Sequence, residues 1–204
     1  MYKKPIIVFE GIEGSGKTSH LNFVSNFLKK KKIPYIKIRE PGGSKNSEKI
    51  RKLILNDRSN FNKNTDLLLY LASRSENIHL LRRYKNKKII IIDRFIDSTI
   101  AYQHYGLGVN LSIINKINSY LLKDFKINFT FLNIVNTKNM INRLKLRKKL
   151  NRYDKFDSSF YKKVQNGFIK IAKQKKKNYL IIDSNKEIKI NKKIILDKID
   201  KLIK

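Results

Sequence analysis

The chain has 204 residues, with 47 Lys and Arg against 16 Asp and Glu, a formal charge of +31, 41% hydrophobic residues and no cysteine. The length suits one domain with an ample core, and the missing sulfur excludes disulfide scaffolds, cysteine-based zinc sites and thiol catalysis. Three histidines, His20, His79 and His104, do not point to a histidine-rich metal site.

At the N-terminus, Lys3 and Lys4 precede an apolar run of only Ile6 to Phe9, too short for a signal-peptide core or a bilayer span. A soluble, cytoplasmic protein without a membrane partner is expected. The charge admits a nucleic-acid or anionic-membrane surface, because clustered cations release phosphate counterions. However, 37 of the cations are Lys and 10 are Arg, and lysine is the less specific phosphate ligand. The lysines are scattered or sit at helix ends, as at Lys29 to Lys32 and Lys175 to Lys177, which reads as solvated faces. Nucleic acid is therefore not expected as a partner.

Five short apolar runs without strict alternation read as strands buried on both faces: Lys4 to Glu10, Pro34 to Ile38, Lys88 to Ile92, Phe129 to Val135 and Tyr179 to Ile182. Between them, helical spacing appears in Leu21, Val24 and Leu28, in Ile50, Leu53 and Ile54, in Ile113, Ile114, Ile117 and Leu121, and in Ile190, Ile194 and Leu202. The alternation predicts a parallel sheet covered by helices, and no Gly/Ser/Pro-rich linker divides residues 1–204. Three irregular segments follow presumed strands, Gly11 to Gly16, Arg39 to Ser44 and Asp93 to Ser98. Loops at the carboxyl ends of parallel strands should converge on a ligand crevice.

Gly11-Ile12-Glu13-Gly14-Ser15-Gly16-Lys17-Thr18 fits the phosphate-loop pattern between a strand and a helix. The glycines let backbone N–H groups face an anion, and the helix N-terminus adds unsatisfied donors. Lys17 would reach the β- and γ-phosphates, and Thr18 would offer its hydroxyl to Mg²⁺. The loop alone does not separate a small-molecule kinase from a switch GTPase or a motor ATPase. Asp93 ends the third strand where a carboxylate could hold the water shell of Mg²⁺, with Arg94 beside it to clamp a phosphate; a surface ion pair is the alternative.

Arg39-Glu40-Pro41-Gly42-Gly43 closes the second strand, and Asp97-Ser98-Thr99-Ile100-Ala101-Tyr102-Gln103 follows Asp93-Arg94. With the phosphate loop, with Leu71-Ala72-Ser73-Arg74 and with Asn151-Arg152-Tyr153-Asp154, these segments closely resemble the thymidylate kinases, which phosphorylate dTMP with ATP. The match runs in order from Phe9 to Asp157. The resemblance implies a P-loop NTPase-type three-layer α/β/α fold with a five-stranded parallel sheet, a lid over about residues 147–157, ATP and Mg²⁺, and a homodimer.

By the same resemblance, Gly11 to Thr18 would hold ATP, Thr18 and Asp93 the metal, and Arg94 the dTMP phosphate. Arg74 and Gln103 would hydrogen-bond the thymine edge, Tyr70 would stack on the base and Arg51 would lie near it. Glu13 would approach the deoxyribose 3′-hydroxyl, and Tyr102 would crowd out a 2′-hydroxyl; Arg39, Ser98 and Thr99 complete the implied acceptor site. Each residue type suits its role, since a guanidinium offers forked donors and a glutamine amide offers both a donor and an acceptor. Taken without the resemblance, Tyr70 could be plain core, Arg51 and Arg74 solvated helix charges and Gln103 a surface amide.

Arg143, Arg147, Lys148, Lys149 and Arg152 crowd one polar stretch. Position 14 is glycine, so, as in bacterial-type relatives, the lid should supply the catalytic arginine: Arg152 first, Arg147 second. A kinase for another pyrimidine nucleotide, and a nucleic-acid-binding ATPase, remain as alternative readings of the same chain.

Overall fold

The computed structural model describes residues 2–147 and 151–204; Lys148 and Lys149 lie outside the described residues. The strands are β1 (Ile6–Gly11), β2 (Tyr35–Arg39), β3 (Ile89–Asp93), β4 (Phe129–Ile134) and β5 (Tyr179–Asp183). They form one all-parallel sheet in the order β2-β3-β1-β4-β5. β1 is buried throughout; its first four residues, Ile6 to Phe9, are apolar as burial on both faces requires, and it closes on Glu10 and Gly11.

Residues alternate between the two faces of the sheet with period two. Ile7, Phe9, Ile89, Ile91, Phe129 and Phe131 pack against Leu21, Val24 and Leu28 of α1 (Lys17–Lys30) and against Ile195, Ile199 and Ile203 of α8 (Ile188–Ile203). Ile6, Val8, Ile90 and Ile92 face the other way, onto Ile78 and Leu81 of α3 (Lys63–Tyr84) and Leu122 of α5 (Leu111–Leu122). Helices thus cover both faces, giving the three-layer α/β/α architecture. α2 (Lys45–Leu55) packs beside α3; α4 (Ile96–Thr99) runs directly into a π-helical segment, Ile100–Gly106; α6 (Thr137–Lys145) follows β4 and α7 (Ser158–Gln174) precedes β5.

Helix periodicity placed α1, α2, α5 and α8 but not every buried face. On α8 the stripe Ile190, Ile194, Leu202 is displaced from the buried one: Ile190 and Ile194 are 48% and 40% exposed, whereas Ile195, Ile199 and Ile203 are 0% exposed. Two isoleucine stripes share this helix, and only the one facing β1 and β4 meets partners. Leu53 and Ile113 likewise point to solvent, leaving Ile54 and Ile114 as the anchors of α2 and α5. α3 escaped the periodicity because its inward face mixes Leu67, Leu71 and Ile78 with Asp66, Ser73, Arg74 and Asn77, so it carries no clean apolar stripe.

Truncating the true anchor of α8 should separate the two stripes. Ile199→Ala is expected to destabilise the protein by about 2–5 kcal/mol through the cavity it leaves, and Ile194→Ala by under about 0.5 kcal/mol, as measured by urea unfolding.

Candidate active site

The phosphate loop is shaped by three glycines at positive φ, Gly11 (141°), Gly14 (70°) and Gly16 (81°). A Cβ at Gly11 would lie 2.3 Å from the Asn133 carbonyl oxygen, so this position requires glycine for space as well as for conformation. Lys17 opens α1 and folds over the loop, its Nζ donating to the carbonyls of Gly11 and Ile12 at 2.9 Å each. Burial, and then the neighbouring Arg94, push its pKa down to about 7. Arg143 of α6 braces the loop from outside, donating to the Gly14 carbonyl at 2.9 Å and the Ser184 carbonyl at 2.7 Å.

Arg94 follows β3 in the left-handed region, φ 65°, a conformation that costs a residue with a side chain of order 1–3 kcal/mol. Its backbone N–H bonds the Phe9 carbonyl at 2.9 Å, and the turn throws the guanidinium across the end of the sheet. There Nη1 donates to the Gly11 carbonyl and Nη2 to Glu13 Oε1, both at 2.7 Å. The Tyr102 hydroxyl donates to the other Glu13 oxygen, and the Tyr102 ring lies under the guanidinium, 5.3 Å from its centroid. Burial opposes the Glu13 carboxylate, but Arg94 and then Lys17 hold its pKa below the usual range. Beside it, Asp93 Oδ1 is buried with no hydrogen-bond partner among the described residues.

Beneath this cluster lies Glu10, fully buried in β1. It accepts from the backbone N–H groups of Phe95 at 2.9 Å and Ser98 at 3.2 Å and from the Ser98 hydroxyl at 2.5 Å, and so holds the turn after Arg94. Burial first, then the nearby Asp97, raise its pKa to about 7 despite these three donors.

A second wall comes from the β2 end and α3. Arg74, 1% exposed, donates Nε to Glu40 at 2.9 Å, Nη1 to Asn118 at 2.7 Å and Nη2 to Thr99 at 2.9 Å. Glu40 is also held by Asn77, whose amide reaches the Gly42 carbonyl at 2.7 Å as well. At Gly43 a Cβ would lie 2.2 Å from Ile38, so the chain can pass there only as glycine. Arg51 donates to the Pro41 carbonyl at 2.6 Å, while Arg39 turns outward to Glu48 at 3.1 Å.

One cleft gathers these parts. It is lined by the predicted residues Glu13, Lys17, Thr18, Arg51, Tyr70, Arg74, Asp93, Arg94, Ser98, Thr99, Tyr102, Gln103 and Arg147. Gly11, Ile12, Gly14, Ser15 and Gly16 form the loop at one end of it. Arg39 does not line it, because its side chain is exposed and engaged by Glu48. Nor does Arg152, which is paired with Asp66. Residues not singled out from sequence also line the cleft: Glu40, Leu55, Phe95, Asn151 and Tyr153. Glu10 and Glu40 could have been found from one signal, an acid directly at the end of an apolar strand. Asp66 and Asn118 carried no local signal; Arg143 was visible only as one of the cations of the basic stretch.

A parallel sheet whose first strand turns through a glycine cradle into a lysine-headed helix, with a second cationic wall facing that cradle, defines a nucleotide-dependent phosphotransferase of the phosphate-loop class. A family profile described as thymidylate kinase matches residues 9–195. The chain is 39% identical to the thymidylate kinase of Sulfurihydrogenibium sp. (strain YO3AOP1), with 94% of each chain covered. It is 37% identical to that of Acholeplasma laidlawii, with 95% of this chain and 97% of the relative covered. The crystal structure of thymidylate kinase from Ehrlichia chaffeensis superposes with a TM-score of 0.79 at 30% identity, covering 97% of this chain and 99% of that one. The chain belongs to the thymidylate kinase family.

Glu10 gives the site a pH signature. With a folded pKa near 7 against 4.5 for the free side chain, the native state holds more protons than the unfolded state in that window, so this residue's contribution to stability falls as pH rises from about 4.5 to about 7. Glu10→Gln removes the titration. The stability of the wild type relative to this variant should therefore decline across the window, as read by thermal melts at stepped pH; a constant difference would exclude the raised pKa.

Proposed function

We propose that this chain transfers the γ-phosphoryl group of ATP to dTMP, giving dTDP and ADP, as a step of dTTP synthesis. The observation that carries the reading is the opposition of two cationic groups across the end of β1. Lys17 belongs to the phosphate cradle, and Arg94 faces it from β3 with Tyr102, Gln103 and Tyr70 behind. In this reading Gly11 to Thr18 cradle the triphosphate, Arg94 and Ser98 take the dTMP phosphate, and Tyr70 stacks on the base. Gln103 and the unshared Nη1 proton of Arg74 meet the thymine edge, with Thr99 steadying Arg74; Glu13 and Tyr102 border the sugar.

The chemistry needs little covalent help. An oxygen of the dTMP phosphate attacks the γ-phosphorus in line, and the bond to the ADP oxygen breaks as the new one forms. No general base is required, because the monoester is already an anion near neutral pH. Lys17, Arg94 and a lid arginine spread the developing negative charge in a site from which the lid excludes water; for that arginine we take Arg147, which lines the cleft, over Arg152, which Asp66 holds.

Hard oxygen donors suit Mg²⁺, and the buried, unpartnered Asp93 Oδ1 together with the Thr18 hydroxyl fits it. The ion would neutralise phosphate charge there. Residues 1–204 act as one domain with a lid at about 147–157. The working form in this reading is a cytoplasmic homodimer. No described helix is long and apolar enough to cross a membrane.

A turnover panel of dTMP, dUMP, dCMP and thymidine with ATP and Mg²⁺ tests the assignment: dTMP should be the best acceptor, and equal or faster use of dCMP or thymidine would reject it. Lys17→Ala should abolish transfer with the melting temperature retained. Arg94→Ala should raise KM for dTMP and lower kcat by roughly 10²–10³-fold; wild-type kinetics in that variant would remove Arg94 from the phosphate site.

A further inference from the structure

Asp66 sits in the first turn of α3, 2% exposed. It does not cap the helix, because the Asn62 side chain already accepts from the N–H groups of Asn64 and Thr65 at 3.0 Å each. Its carboxylate instead gathers side chains from two separate parts of the molecule. From the lid, Arg152 Nη2 donates to Oδ1 and the Tyr153 hydroxyl to Oδ2 at 2.5 Å. From the π-helical segment, Gln103 Nε2 approaches Oδ2 at 3.4 Å.

A carboxylate paired with a guanidinium only accepts hydrogen bonds, so whichever way an isolated amide might be turned, Gln103 must direct its nitrogen to Asp66. We propose that Asp66 is a positioning residue that sets acceptor specificity. By holding the Gln103 nitrogen it leaves the amide oxygen to face the base edge, and it does so through the same carboxylate on which the lid docks. This rests on the reading above, in which Gln103 borders the base.

The consequence is chemical. Thymine carries a donor at N3, which an amide oxygen accepts. Cytosine presents a lone pair at N3, which an amide oxygen opposes, and a buried acceptor facing an acceptor leaves both unpaired. Asp66 thereby favours the ring with N3–H without touching it. Because Arg152 and Tyr153 hold the same two oxygens, the amide is locked most firmly with the lid in place.

The test compares kcat/KM for dTMP and dCMP, with ATP and Mg²⁺, in the wild type and in Asp66→Asn. The neutral amide offers Gln103 a donor as well as an acceptor, so the glutamine is free to turn. The dTMP-over-dCMP preference should fall about tenfold or more, with dCMP gaining relative to dTMP. A general structural role would lower both substrates by the same factor, and that result would overturn the proposal. Should the variant not fold, a wild-type crystal grown with dTMP decides: Gln103 Nε2 within hydrogen-bond distance of Asp66 and Oε1 against N3 supports it, and Asp66 parted from Gln103 overturns it. Failure of the wild type to use dTMP would instead be a failure of the functional reading, seen before any variant is made.

Discussion

The contact on which the site depends is the clamp of Arg94 across the ends of β1 and β3. One guanidinium bonds the Gly11 carbonyl and the Glu13 carboxylate, both parts of the phosphate loop, while its own backbone is fixed to Phe9. The phosphate loop and the turn after β3 are therefore tied to each other by a single residue. Breaking such a pair from one side strands a buried charge, which costs more than the pair contributes when intact. The left-handed backbone at Arg94 is a local expense that aims the guanidinium along the cleft, and Glu10 below holds the following turn by three hydrogen bonds.

The charge of the chain is divided by depth. The excess lysines are largely on the surface, where ion pairs contribute little, whereas Glu10, Glu40, Asp66 and Asp97 are buried, each with its own donors. Few acids remain in so basic a protein, and several of them sit under the cleft. They pair with buried or half-buried arginines, Glu40 with Arg74, Glu13 with Arg94 and Asp66 with Arg152, and hold the guanidiniums in place. Preorganised donors of this kind are worth more than flexible surface cations, because they need not reorganise as charge moves.

This division also sets what could be read from the residues alone. The strands were legible to within one or two residues, since runs such as Ile89 to Ile92 have no other stable place than the middle of a sheet. The phosphate loop was legible because glycine positions report backbone conformation directly. The buried face of α3 was not, because it is half polar, and the partners that make Asp66 or Arg74 bearable in the core come from Gln103, Asn118, Glu40, Arg152 and Tyr153, distant in sequence. Arg39 and Arg51 look equivalent as residues; only the turn at Gly42 and Gly43, which sends one to Glu48 and the other to Pro41, separates them.

The π-helical segment that brings Tyr102 and Gln103 to the cleft is held by its packing against α7. The Leu107 N–H bonds the Tyr102 carbonyl at 3.0 Å, five residues back, so the turn is wider than an α-turn. Gly106 and Gly167 then let the two elements close on each other: a Cβ at Gly106 would lie 2.7 Å from the Phe160 ring, and one at Gly167 would lie 2.5 Å from the Tyr105 ring. Each glycine receives an aromatic ring from the opposite element. Tyr102 packs in turn against Phe160, Phe168 and Tyr153. The segment carrying Tyr102 and Gln103 is thus fixed by interlocked rings behind it and by Asp66 beside it.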